Sequence, residues 1–158
     1  MKRLDWDSYF MTQALLIRSR STCDRAYVGA VIVKDNRVIS TGYNGSVTGT
    51  EHCSGEDGVG HHLVEGHCVR TVHAEANAIL QCSKEGISVK DSTIYVTHFP
   101  CLNCTKSIIQ SGIKKVIYNN DYRIDEFAKS LLLESNIELI KFEGKLDEET
   151  INNIMNLN

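Results

Sequence analysis

This 158-residue sequence lacks long apolar runs and an excess of basic charge, and it has a single proline. No run of about 18 consecutive apolar residues occurs, and residues 1–7 carry charges where a secretory signal has an apolar segment. We therefore expect neither a membrane span nor secretion, and a cytoplasmic protein. With 17 basic against 20 acidic side chains the formal net charge is −3, which argues against a surface that coats nucleic acid.

Length and composition indicate one soluble globular domain over residues 1–158, because 42% of residues are hydrophobic and 23% are charged. Cysteine is the residue type that stands out, with Cys23, Cys53, Cys68, Cys82, Cys101 and Cys104. Because the sequence shows no secretory signal, we expect these thiols to stay in a reducing compartment. They therefore indicate metal binding rather than disulfides.

Apolar periodicity predicts an α-β-β-α-β-α-β-α-β-α order, which gives one mixed sheet with helices on both faces. The predicted helices cover residues 5–20, 73–84, 101–111, 124–134 and 147–155, and the strands cover 28–33, 38–41, 92–98, 115–118 and 137–142. The first two strands flank a turn at Asp35 and Asn36 and form a hairpin. Residues 44–70 are rich in glycine and histidine and show little periodicity, which is typical of a functional or disordered segment.

The pair Cys101 and Cys104 begins a predicted helix directly after Pro100, the only proline. Alone, this C-x-x-C spacing fits a redox pair or two core cysteines as well as a metal site. His73 begins the preceding helix, and one strand joins the two helix starts, so the three side chains can converge on one tetrahedral zinc. Three protein ligands leave a fourth position for water, as in catalytic zinc sites.

Glu75 follows His73 by two residues, which places it roughly 200° around a helix and outside the ligand shell. It is therefore placed to handle the proton of the water. Together, His73-Ala74-Glu75 and the run from Pro100 to Cys104 form the H-x-E…P-C-x-x-C pattern, and on it the sequence resembles the zinc-dependent nucleobase deaminases of the cytidine deaminase superfamily.

The run Gly42-Tyr43-Asn44-Gly45 resembles the deoxycytidylate (dCMP) deaminases in particular, including the bacterial competence-operon members. Residues 21–25 and 66–75 also look like segments of that family. The resemblance implies an α/β fold of three α/β/α layers around a central mixed five-stranded sheet. It also implies hydrolysis of dCMP to dUMP and ammonia, which supplies dUMP for thymidylate synthesis. In that reaction zinc makes hydroxide available near neutral pH, and Glu75 moves protons to ring nitrogen N3 and the leaving ammonia.

Family members are commonly hexamers that dCTP with Mg²⁺ activates and dTTP inhibits, so we expect a homo-oligomer with these effectors. The resemblance implies that Asn44 holds the nucleotide sugar, that Ala74 contacts the substrate, and that Gly42, Tyr43 and Gly45 belong to an effector-binding region. The phosphate is expected to meet arginine, for which Arg25, Arg70 and Arg123 are the candidates. Tyr122 is a candidate lid over the base.

A second zinc site is predicted from Cys23, Cys53 and Cys68, with His62 or His67 as the fourth ligand and His62 preferred. Some dCMP deaminases bind a structural zinc in this loop, and a glycine-rich segment would gain order from one. Free buried cysteines are the competing interpretation. His52, His61 and His98 are expected at the surface or outside the ligand shells, and Cys82 in the core.

Three other functions fit the zinc pattern: a tRNA adenosine deaminase, a free-cytidine deaminase, and a non-enzymatic zinc-bound interaction module. The first calls for a basic surface that a net charge of −3 does not predict. Neither the tRNA adenosine deaminases nor the free-cytidine deaminases show the Gly42-Tyr43-Asn44-Gly45 run together with the three cysteines Cys23, Cys53 and Cys68. A structural zinc module would have no need of Glu75.

Overall fold

A computed structural model describes residues 3–144 of the chain. Its helices are α1 (Trp6–Ile17), α2 (Ala74–Lys84), α3 (Leu102–Gln110) and α4 (Glu126–Glu134). The strands are β1 (Gly29–Lys34), β2 (Arg37–Tyr43), β3 (Gly45–Ser46), β4 (Leu63–Val64), β5 (His67–Cys68), β6 (Thr71–Val72), β7 (Thr93–His98), β8 (Lys115–Asn120) and β9 (Glu138–Lys141). The helix predicted over residues 147–155 lies outside the described part of the chain.

Five strands form one mixed sheet in the order β2-β1-β7-β8-β9, which confirms the predicted fold class. β1 is antiparallel to both of its neighbours, and β7, β8 and β9 are mutually parallel. Successive residues of a strand face opposite sides of a sheet, so β1 supplies two cores. Ala30 and Ile32 pack with α2, α3 and α4 on one face, and Val31 and Val33 pack with α1 on the other.

The hairpin between β1 and β2 turns at Asp35 and Asn36, as predicted. Both residues have positive φ values, 50° and 56°, and Lys34 pairs with Arg37 across them. Positive φ at both central residues matches the right-handed twist of the flanking strands, and Asp and Asn tolerate it.

Most helix ends follow from local capping. Gly112, with φ +83°, stands after the last turn of α3 as predicted, because glycine adopts this conformation without steric conflict. α4 begins at Glu126 rather than at residue 124, because the Asp125 carboxylate accepts hydrogen bonds from Phe127 N and Ala128 N as the N-cap. α1 ends at Ile17, and a 3₁₀ turn over Arg18–Arg20 continues to the predicted end.

Two small ribbons lie within the segment predicted to be irregular. β3 pairs with β6, and β4 pairs with β5. Each strand has only two residues, too few to show a period of two in the sequence. Among the described residues, none of the helices is both long and apolar enough to cross a membrane.

Candidate active site

His73, Cys101 and Cys104 meet where two helices begin at one edge of the sheet. α2 runs back from this edge before β7 returns to it, and α3 leaves it again, so both helix N-termini lie there. His73 is the residue before α2, Cys101 is the residue before α3, and Cys104 lies in the first turn of α3. We call these three residues the helix-end cluster. His73 Nδ1 lies 3.4 Å from Cys101 Sγ and 3.5 Å from Cys104 Sγ.

These separations fit a zinc ion. Tetrahedral coordination with usual Zn–S and Zn–N bond lengths puts the sulfur and nitrogen atoms about 3.6 Å apart. All three ligand atoms of the cluster lie within 4.8 Å of one another. A hydrogen bond from Cys104, with a further contribution from His73, lowers the pKa of the Cys101 thiol, and the same hydrogen bond raises the pKa of Cys104, so Cys101 is the thiol that ionises first.

Glu75 is the second residue of α2 and is buried, with 4% of its surface exposed. Burial raises the pKa of its carboxyl, and the neighbouring His73 acts in the opposite direction. Of the described residues, the metal-ligating group here contains His73, Cys101 and Cys104, so Glu75 stands beside it. A buried carboxyl with a raised pKa next to an open metal position is suited to holding and releasing a proton.

A cavity of about 200 Å³ adjoins the helix-end cluster and has His73, Glu75 and Cys101 in its wall. It contains five of the six residues predicted to contact substrate, namely Arg25, Asn44, Ala74, Tyr122 and Arg123. The sixth, Arg70, does not line it, and its Nη2 lies 3.5 Å from the Glu51 carbonyl. A contact between Arg70 and the substrate therefore stays a prediction.

Asn44 is buried and its side chain holds the neighbouring backbone in place. Nδ2 donates to the Ala26 carbonyl at 2.7 Å, and Oδ1 accepts from Val28 N at 2.8 Å. A primary amide has one more hydrogen and one more lone pair than these two bonds use. Asn44 therefore shapes the cavity wall and keeps hydrogen-bonding capacity.

Tyr122 packs between two residues at the cavity rim. The ring of His98 is nearly perpendicular to the ring of Tyr122, with their centroids 5.7 Å apart, and the Arg123 guanidinium lies 5.2 Å from the Tyr122 ring centroid. His98 also lines the cavity, a position that its sequence context alone did not predict. Its place at the end of β7, just before the zinc-ligand motif, is the signal that could have located it there.

Gly42 and Tyr43, predicted for an effector region, connect β2 to α2. A Cβ on Gly42 would lie 2.6 Å from Ala78 N and would also meet the Ala74 carbonyl, so only glycine lets helix and strand approach this closely. Asn77 Nδ2 donates to the Tyr43 carbonyl at 2.9 Å. Gly45 begins the short strand β3. These contacts give the run a packing role, and effector binding stays a prediction.

A second group of metal ligands comprises Cys23, Cys53, His61 and Cys68, whose ligand atoms lie within 4.8 Å of one another. We call it the loop cluster. The three predicted cysteines are brought together, but His61 rather than His62 completes the group, so the preference for His62 is wrong. Asp24 Oδ1 holds His61 Nε2 at 2.9 Å, and His62 is not among the four grouped ligands.

The loop cluster also has separations that suit zinc. Cys53 Sγ and Cys68 Sγ are 3.8 Å apart, and Cys23 Sγ lies 3.9 Å from His61 Nδ1. Two thiolates on one tetrahedral zinc lie about 3.8 Å apart. Burial opposes the thiolate of Cys68, but hydrogen bonds from the Arg70 backbone and from His61 lower its pKa to about 7. Four ligands close the coordination shell, as in structural zinc sites.

Residues 4–120 match the model of the cytidine and deoxycytidylate deaminase zinc-binding region. The chain belongs to the cytidine and deoxycytidylate deaminase family. It is 49% identical over 148 residues to ComE operon protein 2 of Bacillus subtilis, covering 94% of this chain and 76% of that protein. The deoxycytidylate deaminase of Saccharomyces cerevisiae is 38% identical over 148 residues, which cover 90% of this chain. The chain spans only 46% of that yeast relative.

A solved structure of the same family supports the fold of this deaminase. The dCMP deaminase of the cyanophage S-TIM5, in complex with dCMP and dUMP, matches with a TM-score of 0.76 and 32% identity. The match covers 90% of this chain and 100% of the cyanophage chain. The predicted family and three-layer fold are therefore confirmed, and the helix-end cluster lies within the residues that match the zinc-binding family model.

Proposed function

We propose that this deaminase converts dCMP and water to dUMP and ammonia. The observation that carries the proposal is the buried Glu75 beside a three-ligand metal cluster, in a cavity that also contains Arg25 and Arg123. An acid-base group and two guanidinium groups around one cavity suit a nucleotide with a 5′-phosphate. Relatives named deoxycytidylate deaminase and the related structure with bound dCMP and dUMP support the same substrate.

His73, Cys101 and Cys104 would hold zinc, which when bound activates water for attack on the ring carbon C4. Glu75 takes a proton from that water and places it on ring nitrogen N3. It then takes the proton of the hydroxyl added at C4 and delivers it to the amino group, which leaves as ammonia while the C4 oxygen stays on the base as the carbonyl. Burial keeps the Glu75 carboxyl shielded from bulk water, so the proton stays within the cavity.

Arg25 and Arg123 bind the 5′-phosphate, Asn44 meets the sugar, and Tyr122 covers the base. Arg25 and Arg123 lie in the wall of the same cavity as Glu75, which supports their assignment. A nucleoside has no phosphate for either arginine to bind. Charged hydrogen bonds contribute about 1.5 to 3 kcal/mol each, so kcat/KM for the nucleoside should be lower by about 10² to 10⁴.

The remaining roles in this proposal rest on the family resemblance. The loop cluster binds a structural zinc, dCTP with Mg²⁺ activates the enzyme, and dTTP inhibits it through the region of Gly42, Tyr43 and Gly45. The active form is a hexamer in the cytoplasm, and its dUMP supplies thymidylate synthesis.

The test is ammonia release from dCMP, dCTP, deoxycytidine and a tRNA anticodon stem, assayed in parallel with zinc-loaded protein. We expect dCMP to be preferred over deoxycytidine by about 10² to 10⁴ in kcat/KM. Near-equal values for these two would return the assignment to a nucleoside deaminase, and selective reaction of the stem would indicate a tRNA enzyme. No turnover of any substrate would leave a zinc-bound interaction module.

A further inference from the structure

Three consecutive side chains, those of residues 23–25, contact the loop formed by residues 61–68. Cys23 Sγ lies 3.9 Å from His61 Nδ1, and Asp24 Oδ1 lies 2.9 Å from His61 Nε2. Arg25 Nη2 donates to the Gly66 carbonyl at 2.7 Å. The segment 23–25 is thus tied to the loop 61–68 through a metal ligand, a carboxylate and a guanidinium in succession.

The loop itself has little other support. Residues 62–67 are exposed, and the strands β4 and β5 pair with each other as a two-residue ribbon. A ribbon of this size is marginal in water on its own. The contacts of the loop cluster are therefore what gives the loop a fixed position.

The same residues form part of the cavity wall. Cys23, Arg25, Gly66 and Cys68 line the cavity that contains Glu75. Two ligands of the loop cluster therefore face the nucleotide cavity, and the Gly66 carbonyl that holds Arg25 stands two residues before Cys68. A displacement of the loop would move the Arg25 guanidinium within the cavity.

Asp24 gives His61 the orientation that a metal ligand needs. A ligating histidine commonly donates its second ring N–H to a carboxylate, which fixes the ring and raises its basicity. His61 has this arrangement, with Nε2 on Asp24 and Nδ1 towards the thiols. Asp24 thus contacts a residue of the loop cluster, and the next residue, Arg25, lines the cavity.

We propose that metal at the loop cluster positions Arg25 for the 5′-phosphate of the substrate, so that the second centre sets substrate specificity as well as stability. The inference rests on the proposed nucleotide substrate and on zinc at the loop cluster. Arg25 is the binding residue, and Asp24 is a positioning residue that acts through His61.

The main test compares Cys53→Ser with Arg25→Gln, because Cys53 is the cysteine of the loop cluster that does not line the cavity. For Cys53→Ser we expect about one zinc per chain instead of two, and a ten- to hundredfold fall in kcat/KM for dCMP through KM. The value for deoxycytidine should stay within about threefold. Arg25→Gln should show the same selective fall with both zinc ions retained, and the double variant should fall no further than either single one. Asp57→Asn, at an exposed position between Cys53 and His61, is the control.

Two measurements do not depend on turnover. Equilibrium binding of dUMP should weaken in Cys53→Ser by the same factor as KM rises. Asp24→Asn should bind zinc at the loop cluster about ten- to hundredfold more weakly in competition with a chelator. If Cys53→Ser does not fold, Asp24→Asn at limiting zinc takes its place in the kinetic comparison.

Loss of the second zinc with unchanged selectivity for dCMP would overturn the proposal. Wild-type protein with a single zinc would remove the loop-cluster metal, and this inference with it, while leaving the deaminase assignment intact. Two-zinc protein that binds dUMP but does not turn over dCMP would contradict the proposed reaction instead. The three failures are distinguishable because zinc content, binding and turnover are measured separately.

Discussion

The two metal clusters of this chain differ in what holds their ligands. The helix-end cluster takes its three ligands from the starts of α2 and α3, two helices that pack in the core over the main sheet. The loop cluster takes four ligands from segments joined by a two-residue ribbon and side-chain contacts. A site on rigid elements is formed before metal binds, whereas a site on loops gains its order from the metal.

The same difference separates the chemistry of the two clusters. Three ligands and a buried carboxylate leave room for a reacting water, whereas four ligands close the shell. Asp24 beside the loop cluster is bonded to a ligand through Nε2 of His61, whereas Glu75 is buried next to the cavity. We therefore expect damage at the first cluster to remove catalysis and damage at the second to alter metal content, stability and substrate binding.

The variant expected to distinguish the two clusters most clearly is Glu75→Gln. The amide cannot carry a proton between water, N3 and the leaving group, so deamination of dCMP should fall by about 10³ or more with the fold and both zinc ions retained. Ammonia release and zinc analysis on the same preparation measure this. Glu85→Gln, at the far end of α2, should remain close to wild type. Turnover of Glu75→Gln within tenfold of wild type would show that the proton passes elsewhere.

The histidine of the loop cluster is tested by the pair His61→Asn and His62→Asn. His61→Asn should reduce the zinc content from about two per chain to about one and lower resistance to urea, because it removes one of four ligands. His62→Asn is the matched control, because it changes the same residue type one position along, and it should keep both ions. Equal zinc content in the two variants would contradict His61 as the fourth ligand.

The sheet and the helix-end cluster are predictable from sequence because their signals are local and periodic. β1 alternates between two cores, and the spacing of Cys101 and Cys104 at a helix start is fixed by the turn of a helix. The loop offers neither signal. Which of two adjacent histidines faces the thiols depends on Asp24, a residue 37 positions away in the chain, and no local pattern carries this information.

The placement of Arg70 is also not carried by a local pattern. Arg70 stands three residues before His73 in the sequence, but its Nη2 lies 3.5 Å from the Glu51 carbonyl and it does not line the cavity. Gly42 shows the reverse case. Its motif is recognisable from the family, and its physical reason, the close approach of α2, is visible only in the packing.

Gly42 lets β2 pack closely against α2, the helix that carries Glu75, so we expect a steric effect from a larger residue at this position. Gly42→Ala would force β2 and the first turn of α2 apart, so we expect a loss of about 1 to 3 kcal/mol in the free energy of unfolding. Urea unfolding of the zinc-loaded protein measures it, and kcat should fall because Glu75 moves with α2. Gly45→Ala is the control, since its Cβ would approach only side-chain atoms, the Thr22 hydroxyl at 3.1 Å and the Tyr43 ring at 3.3 Å, and no backbone. Equal free energies of unfolding for the two variants would show that α2 can move away from β2 without loss of stability.

The smallest effect concerns the N-cap of α1, which belongs to neither cluster. Asp5 accepts hydrogen bonds from Ser8 N and Ser8 Oγ, both at 2.9 Å. Asp5→Ala should therefore lower the free energy of unfolding by about 1 kcal/mol near neutral pH and leave zinc content and activity unchanged.

The pH dependence of that difference tests its cause. The hydrogen bond from the Ser8 backbone, followed by that from its side chain, lowers the pKa of the Asp5 carboxyl in the folded chain. A folded-state pKa below the unfolded value of about 3.9 means that the stabilisation is fully present above that pH and is lost as the pH falls through the folded pKa. Urea unfolding of wild type and Asp5→Ala from neutral pH downward should show their free energies of unfolding converging.

Asp5→Asn is the control, because it keeps an acceptor without a titrating proton. Its difference from Asp5→Ala in free energy of unfolding should not change with pH through this group. A constant gap between wild type and Asp5→Ala at all pH values would assign the stabilisation to packing rather than to the ionised cap.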